Sequence, residues 1–483
     1  MKRSILLFVT VVVFALIAVS TAPFWFGLEA EKTYQRLITR PVPGGVIINS
    51  TQYTRGWLSS TAENVITLPN VPFDLTATHH IKHGPFRFAR LMRGEFDLTP
   101  VKAVIDTRIS ITPKKGDTAF GQTVAQLPEL RAETVVHLWG NGMTQIELPA
   151  LKRTADNGGA LDWRGLTGSV RFDGEFKRFV VDVQSPGITV TGAPGKGGVN
   201  IGKLSLRSNM QEGPHRFMLG DSDFTVDQVA LGDNLLKFEG FAFHAGARAT
   251  GDNLNVTLVY RLKALQFLQD RSGPGELAIE LRNLDSATLR RFDDELDVIG
   301  GKNLPREQMK MILAGRALEL VSALAKNSPE LEVTRLSFHS DGGELTGHAK
   351  VAVANEDRNL GQNPMALLTA VHGDAELSLP PEMLKPLLGP LIERDLVAST
   401  GQRGGISRAE LAKMTPETRS RVIEQALPLY LSRHTFTRML VPDNGRYKFN
   451  ATLDQGRFMI NGRPWTPGET VPGTVATAPQ RKR

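Results

Sequence analysis

The chain opens with an apolar stretch and then changes to a pattern of alternating residues. From Ile5 to Leu28 no residue is charged. From residue 44 to residue 284, apolar and polar residues alternate in run after run, as they do between Leu254 and Leu262. A period of two is typical of β-strands that bury one face. Turn sequences such as Asp173-Gly174 and Pro186-Gly187 separate the runs, and their spacing predicts a long antiparallel meander.

Within this meander the alternation assigns apolar residues to common faces. Val170, Phe172 and Phe176 have the same parity, so the pattern places them on one side of a strand. Val101, Ala103 and Ile105 share a parity in the same way, with Lys102 and Asp106 at opposite positions. We therefore expect one apolar face to continue from strand to strand.

Helical signals begin after residue 284. Asp285 is suited to cap a helix, because its carboxylate can accept a hydrogen bond from an amide of the first turn. Pro305 predicts the start of a second helix. An apolar stripe follows it that we expect to pack on the sheet: Met309, Ile312, Leu313, Leu320 and Leu324.

Further signals lie nearer the C-terminus. The apolar segment 381–392 favours a helix, and so do the capping-box sequence Ser407–Glu410 and the sequence that begins at Thr415. The alternation from Tyr447 to Leu453, followed by a turn and Phe458–Ile460, predicts a closing hairpin.

Together these patterns predict an α+β fold that is mostly antiparallel β. Its parts are an N-terminal transmembrane helix, a long one-sided β-meander, and later helices packed on the sheet. The predicted divisions are a cytoplasmic stub at residues 1–3, an anchor at 4–28, a β-rich domain at 29–284, an α+β domain at 285–467 and a disordered basic tail at 468–483.

The stretch from Ile5 to Leu28 predicts a membrane anchor. About 20 apolar residues at 1.5 Å each cross a hydrocarbon core of roughly 30 Å, and Lys2 and Arg3 favour a cytoplasmic N-terminus. A cleaved signal peptide is the alternative, because Ser20-Thr21-Ala22 is a small-residue cleavage sequence. The length of the stretch and the aromatic residues at 24–26 favour retention. Either way we expect the rest of the chain in the periplasm, with residues 29–40 extending the anchor as a short helix.

Composition narrows the function classes. The chain has 483 residues, a formal charge of +7 and no Cys. The absence of Cys excludes disulfides, a lipid-modified cysteine and Cys-based metal sites. Lys and Arg are dispersed along the chain, and no basic-aromatic module is present, so we expect no nucleic-acid partner.

The densest group of potential metal ligands is His79-His80-Ile81-Lys82-His83. His79 and His83 have the spacing of a zinc-binding helix, but the following Gly84-Pro85 breaks any helix, and no acidic residue stands nearby to act as a base. We interpret the group as a loop or strand cluster between strands, without a metal. No nucleophile-elbow sequence occurs, so we expect no catalytic residue, no cofactor and no enzymatic activity.

Three ordered motifs follow the apolar stretch. They are Tyr53-Thr-Arg55-Gly56-Trp57-Leu58, then His83-Gly84-Pro85-Phe86, and finally a closing hairpin that contains Asn461-Gly462. Together with the anchor they resemble the YdgA-like family of bacterial inner-membrane-anchored periplasmic proteins, whose function is unknown. Members often carry Asp where this chain has Lys82. The resemblance implies a tethered periplasmic protein and assigns no catalytic residue.

Each motif also has a structural interpretation. Gly56 would turn a hairpin with a positive φ while Trp57 closes over the sheet. The sequence from His83 to Pro85 would reverse the chain, with Phe86 as a core plug. Asn461-Gly462 would form a tight turn.

A sheet with one apolar face has to cover that face. If the later helices leave part of it open, an apolar groove results, as in AsmA-like envelope proteins, although that comparison is a fold-level analogy. We therefore expect a non-enzymatic, membrane-anchored envelope protein that binds or shields a lipid or another amphiphile. The alternatives are a structural or partner-binding scaffold with fully packed strands, and an envelope hydrolase whose site comes from distant parts of the chain.

Overall fold

The computed structural model describes residues 21–36, 38, 46–68, 71–87, 94, 99–114, 128–154, 158–192, 197–232, 236–267, 270–300, 306–354, 369–399, 405–433 and 439–465. Contacts within the chain divide it into two compact units. The first holds the described residues before Leu236, with His244–Arg248 and those of Leu289–Ile312. The second holds Leu236–Phe243, Ala249–Thr288 and those from Leu313 onward. The sequence pattern places its division at residue 284 instead, where helical signals begin.

Helix α1 (residues 21–36) opens the described part of the first unit. It confirms the expected helical extension as far as it is described. The strands that follow are β1 Ile47–Arg55, β2 Ser59–Thr67, β3 Phe73–His83, β4 Val101–Pro113, β5 Leu130–His137, β6 Gly142–Leu148, β7 Leu151–Thr154, β8 Ala160–Trp163, β9 Leu166–Phe172, β10 Arg178–Ser185, β11 Ile188–Thr191, β12 Val199–Ile201, β13 Leu204–Glu212 and β14 Met218–Leu231.

These strands pair antiparallel in the order β1-β2-β3-β4-β5-β6-β9-β10-β13-β14. The predicted antiparallel meander is therefore confirmed. Alternation decides which face each side chain occupies. On β3, Ala77, Ile81 and His83 are buried, whereas Thr78 and His80 between them are exposed. The histidine group thus lies within a strand and not between strands.

A crease crosses the middle of this sheet. Successive strands such as β10 and β11 run in the same direction with a short break between them, and these breaks lie at the same level across the sheet. The strands beyond the breaks form a second antiparallel ladder in the order β7-β8-β11-β12-β14. Pro186-Gly187 lies at this crease. The prediction that it reverses the chain is wrong, because β11 continues the direction of β10.

Ser185 holds the crease together. Its side chain is 2% exposed, and its Oγ donates to the carbonyl of Gly165 at 2.7 Å and accepts from the amide of Gly187 at 3.2 Å. Gly187 has a φ of +123°, and a Cβ there would lie 2.3 Å from the carbonyl oxygen of Ile201. Only glycine fits this position.

The remaining strands are β15 Leu236–Thr250, β16 Asn253–Leu262, β17 Ala264–Phe267, β18 Asp270–Ser272, β19 Gly275–Asp285, β20 Glu330–Ser340, β21 Gly343–Val353, β22 Val371–Leu379, β23 Val441–Asp443, β24 Arg446–Asp454, β25 Arg457–Ile460 and β26 Arg463–Pro464. The helices among them are α2 Ser286–Gly300, α3 Arg306–Leu324, α4 Leu384–Ala398, α5 Arg408–Lys413 and α6 Pro416–Arg433, with short 3₁₀ turns at Pro214–Arg216, Ala325–Asn327 and Pro381–Met383.

The second unit is also antiparallel, in the order β16-β19-β20-β21-β22-β24-β25-β26. The predicted closing hairpin is confirmed as β24 and β25. The core of the second unit includes four residues beside or within α4 that are at most 3% exposed: Leu379, Met383, Leu384 and Ile392. Arg419 of α6 pairs with Glu393 of α4.

Three helix starts follow the predicted chemistry. The amide of Thr288 donates to Asp285 Oδ1 at 2.8 Å. Ser407 and Glu410 form the reciprocal capping box of α5. At the start of α6, Thr415 Oγ1 accepts from the amide of Thr418 at 3.3 Å. Local sequence therefore determines where these helices begin.

Two packing predictions hold only in part. Phe176 is not a strand residue, because it has a φ of +58° in the turn between β9 and β10, but its ring stacks on that of Phe172 with centres 5.0 Å apart and so lies on the predicted side. The apolar stripe of α3 is not buried along its length: Ile312 and Leu313 stay more than one-third exposed, and burial is reached only at Leu324.

No described helix combines the length and apolarity needed to cross a membrane. Residues 1–20, which hold the stub and most of the predicted anchor, lie outside the described residues, as does the predicted tail at 468–483.

Removal of the Ser185 hydroxyl should destabilise the creased sheet. Ser185→Ala leaves the buried Gly165 carbonyl and Gly187 amide without this partner, and we expect a loss of about 1–3 kcal/mol in the free energy of unfolding. Chemical denaturation followed by circular dichroism measures it. Thr191→Ala, at an exposed position of β11, is the control, and an equal effect of both variants would contradict the role of Ser185.

Candidate functional site

Helix α1 lies on one face of the first-unit sheet. Pro23, Gly27, Ala30 and Tyr34 recur at helical spacing. Pro23 and Gly27 are buried, whereas Ala30 and Tyr34 line a cavity beneath the helix. The inner stripe is made mostly of small residues, which lets one part of the helix approach the sheet closely and leaves space under the next part.

The first motif lies along α1. The ring of Tyr53 packs against that of Tyr34 in a tilted arrangement, with ring centres 5.2 Å apart. Arg55 Nη1 donates to Glu31 Oε2 at 3.0 Å, and its guanidinium lies 5.4 Å from the centre of the Phe24 ring. Two turns of the helix are thus fixed by residues of a single strand, β1.

Gly56 and Trp57 do not act as predicted. Gly56 lies outside the left-handed region, and it is needed because a Cβ would lie 2.8 Å from the carbonyl oxygen of Ser59. Trp57 is 54% exposed and packs on Phe24 with ring centres 5.3 Å apart, so it contacts the helix rather than closing over the sheet.

His83 is the closest point of contact between sheet and helix. It is 2% exposed, and a Cβ on Gly27 would lie 2.5 Å from its Cε1. Its Nδ1 lies 3.2 Å from the carbonyl oxygen of Trp57, which can only accept, so Nδ1 carries the proton. Nε2, 2.9 Å from Ser60 Oγ, then accepts the hydroxyl proton of Ser60. Burial lowers the pKa of His83, and the Trp57 carbonyl offsets only part of this.

The residues after His83 continue the β3–β4 ladder. The amide of Gly84 donates to the carbonyl of Lys102, and the amide of Val101 donates to that of Pro85. A Cβ on Gly84 would lie 1.9 Å from the carbonyl oxygen of Val101, so glycine is required. The predicted chain reversal at this point is wrong, and Phe86, at the end of the ladder, is half-buried.

A cavity of about 1090 Å³ lies between α1 and the sheet. Apolar side chains from α1, neighbouring strands and the β9–β10 turn line it: Ala30, Ile48, Ile66, Ile81, Ala103, Ile105, Val136, Phe172, Phe176 and Phe179. Ile38 also lines it. The predicted apolar face thus exists, and part of it is covered by α1 without being filled.

A polar row crosses the floor of the cavity. Asn64 Nδ2 lies 3.1 Å from His79 Nε2, and His79 Nδ1 lies 2.8 Å from Thr107 Oγ1. Because the amide nitrogen can only donate, Nε2 accepts and Nδ1 donates to Thr107. Burial lowers the pKa of His79, which favours this neutral ring. Asn64 Oδ1 is buried without a hydrogen-bond partner.

Charged side chains surround this apolar space. Five are basic and three are acidic: Lys32, Arg36, Lys102, Lys177 and Arg216, with Glu29, Glu175 and Glu212. Lys102 Nζ pairs with Glu29 Oε1 at 2.8 Å, which ties β4 to the helix. The lining therefore keeps an excess of positive charge.

Lys82 points to the opposite face of β3. Its Nζ lies 2.6 Å from Asp106 Oδ2 on β4. Lys82 therefore makes a diagonal ion pair between neighbouring strands on this face.

The last motif lies in the second unit. Asn461 and Gly462 have positive φ values of 48° and 74° and form the predicted turn between β25 and β26. Asn461 Oδ1 accepts from the amide of Asn450 at 2.9 Å, and its Nδ2 donates to the carbonyl of Met439 at 2.7 Å. This motif fixes the hairpin and does not line the cavity.

The chemistry of the site suits binding. Within the described residues, no group of three or more His, Asp or Glu is arranged to hold a metal ion. The Ser60–His83 pair resembles part of a nucleophilic dyad, but the two residues are 1% and 2% exposed. The His83 nitrogen that would bind an orienting acid is used by the Trp57 carbonyl. No substrate can reach this hydroxyl.

A comparison with family models places the chain. The model described as "Bacterial protein of unknown function (DUF945)" matches residues 1–467. The chain belongs to this bacterial family. No curated protein and no solved structure matches it.

Family resemblance and local pattern found only part of the site. Tyr53, Arg55, Trp57 and His83 stand in recognisable motifs, and all contact α1. Tyr34, Asn64, Thr107 and Thr144 line the cavity without a motif. For Asn64, Thr107 and Thr144 the one signal is parity, because they are polar residues at inward positions of otherwise apolar strand faces. Tyr34 is signalled only by its helical spacing from Gly27 and Ala30.

A larger residue at position 27 should displace α1. Gly27→Val places a Cβ against the His83 ring, and overpacking of this kind costs about 1–3 kcal/mol. We expect faster amide hydrogen exchange in residues 21–36, measured by mass spectrometry. Lys32→Val, at an exposed position of the same helix, has a β-branched side chain without the clash. Unchanged exchange in Gly27→Val would show that the contact does not hold the helix.

Acidification should weaken the same contact. The pKa of buried His83 lies below 6.5, so as pH falls through that value the unfolded or undocked state takes up a proton before the folded state does. Stability contributed by the neutral ring is therefore present above about pH 6.5 and is lost as pH falls toward the folded pKa. His79 adds to the effect in the same direction.

Thermal unfolding measured between pH 8 and pH 5 tests this. His83→Gln should flatten the dependence of the unfolding midpoint on pH, whereas His80→Gln, exposed on the same strand, should not. Equal slopes in wild type and His83→Gln would assign the dependence to other groups.

Proposed function

We propose that this protein is a membrane-anchored envelope protein that holds an amphiphile in the cavity beneath α1, without catalysing a reaction on it. The cavity carries this proposal. Its volume of about 1090 Å³ is slightly above the roughly 300–1,000 Å³ common for ligand pockets, and most of its lining surface is apolar.

The apolar lining suits a hydrocarbon chain. Each CH₂ group moved from water to an apolar site contributes about 0.8 kcal/mol, so a chain of roughly ten methylenes would supply several kcal/mol before ordering costs. Rows of Ile and Phe on successive strands offer such contacts along the sheet. The polar row on the floor is saturated by its own hydrogen bonds, apart from Asn64 Oδ1, and therefore does not oppose an apolar ligand strongly.

The surrounding charges suit an anionic or zwitterionic head group. Basic residues outnumber acidic ones by five to three. Lys177 Nζ is paired with Glu175 Oε2 at 2.6 Å, and Arg216 comes from a separate turn. Phosphate or carboxylate groups pair with such side chains. Phospholipids and fatty acids both have this combination of head group and chain.

Location is the second part of the proposal. The stretch from Ile5 to Leu28 is uncharged and follows Lys2 and Arg3, as expected for an uncleaved inner-membrane anchor, and its last eight residues lie in α1. The ordered motifs support the YdgA-like resemblance and a periplasmic body. A cavity roofed by the helix that follows the anchor would work close to the membrane.

A fully packed scaffold explains the site less well. Such a protein would fill the space under α1 with side chains. The small inner residues Gly27 and Ala30 leave this space open instead. A larger residue at position 30 would reduce its volume.

Filling the cavity tests the proposal. Thr144 lies on the floor, where its Oγ1 is 2.8 Å from that of Thr134. Thr144→Phe should occupy the space and abolish retention of lipid-sized ligands after mild detergent extraction of the full chain from membranes, as read by native mass spectrometry.

Gln145→Phe is the matched control, since it places the same side chain on the exposed face of the same strand. It should retain the ligand masses seen with wild type. A bare wild-type mass, or equal retention by Thr144→Phe, would refute binding in this cavity.

A further inference from the structure

One end of the first-unit sheet carries a group of exposed apolar side chains. The β1–β2 turn contains Trp57 and Leu58, and the β5–β6 turn contains Leu138 and Trp139. Their exposed fractions reach 90% at Trp139 and 59% at Leu58. Large side chains at such exposure are unusual on a surface in water when they occur together.

Strand register puts these turns at the same end. The amide of His83, at the end of β3, donates to the carbonyl of Leu58. Next along the sheet, Val101 at the start of β4 pairs with His137, the last residue of β5. Leu138 and Trp139 follow directly. The two turns therefore border one row of strand ends.

Helix α1 begins at this end as well. Phe24 packs on Trp57 at 5.3 Å between ring centres, and Trp25 beside it is 66% exposed. Residue 21 starts the described helix, and the uncharged stretch from Ile5 leads into it. The apolar segment therefore joins the first unit at the end of the sheet where the exposed Trp residues lie.

We propose that this strand end, formed by Trp25, Trp57, Leu58, Leu138 and Trp139, is a docking surface for the lipid–water interface of the membrane. Trp is enriched at that interface because its ring is apolar and its indole N–H is polar. The membrane is the expected partner of this surface because α1, which begins here, continues the apolar segment that starts at Ile5. The inference therefore rests on the anchoring part of the proposed function, but not on a ligand in the cavity.

Docking would bring the cavity to the membrane surface. Gly140 follows Trp139, and a Cβ there would lie 3.1 Å from the Cα of Gly174. Both glycines line the cavity, as do Phe176 and Lys177 of the same β9–β10 turn. The turn that carries Trp139 is therefore part of the cavity wall, and lipid head groups would lie next to that wall.

Spin labelling tests the docking surface, and the absence of Cys makes single labels unambiguous. The full chain is reconstituted into vesicles of phosphatidylethanolamine and phosphatidylglycerol, with a nitroxide on Trp139→Cys. Lys152→Cys is the control, because its side chain is 81% exposed on β7, which continues β6 away from the β5–β6 turn. Accessibility to oxygen, which concentrates in lipid, is compared with accessibility to a water-soluble nickel chelate.

We expect the label at 139 to be reached by oxygen and shielded from nickel, and the label at 152 to show the reverse. If the protein floats with the vesicles and both labels are open to nickel, docking is refuted while anchoring stands. A label at 139 shielded from both reagents would assign the surface to a protein partner or a second copy, and would also refute it. Failure to float would overturn anchoring and docking together, leaving ligand retention as a separate measurement.

Discussion

The contact between Gly27 and His83 sets the position of α1, and the site depends on that position. A helix can lie against an imidazole ring at this distance only where no Cβ intervenes. The ring in turn is held by the Trp57 carbonyl and the Ser60 hydroxyl, so its orientation is fixed by the sheet. From this point the other contacts follow along the helix, with Phe24 one turn before and Tyr34 two turns after. Residues of the first two motifs, Arg55, Trp57 and His83, therefore belong to the surface on which α1 docks.

A cavity forms because, between their points of contact, the helix and the sheet present facing residues that leave space, and the polar groups on the sheet side mostly bond to one another, with Asn64 Oδ1 as an exception. On the helix, Gly27 and Ala30 present little volume. On the sheet, polar side chains that would otherwise require partners bond among themselves, in the pairs Asn64–His79, His79–Thr107 and Thr134–Thr144. An ordinary core would close such space, since empty volume forfeits contact energy. Under the proposed function, a ligand in this space would supply those contacts.

The sequence pattern predicts the strands and helix starts of this protein well, but it predicts poorly how these elements contact one another. Alternation identifies the antiparallel strands, and capping residues such as Asp285 and Ser407 mark helix starts, because both signals are local. Pro186-Gly187 has the composition of a turn but lies in a crease, since neighbouring strands continue past it. Phe176 has the parity of a strand residue, yet Asp173-Gly174 before it changes the backbone direction. The importance of Gly27 depends on a ring 56 positions later, and no local pattern contains that information.

The hydrogen bonds of the site also bear on binding as against catalysis. A catalytic imidazole needs one nitrogen free to exchange a proton with a substrate. Both nitrogens of His79 are used within the polar row, and both of His83 are used beneath the helix. The hydroxyls of Thr134 and Thr144 pair with each other. The lining that remains is largely apolar surface with charged residues around it, five basic and three acidic, and with the unpaired Asn64 Oδ1 on the floor. Under the proposed function such a lining would select by chain length and head-group charge. The use of these polar groups in internal hydrogen bonds supports the proposal of an amphiphile-binding protein.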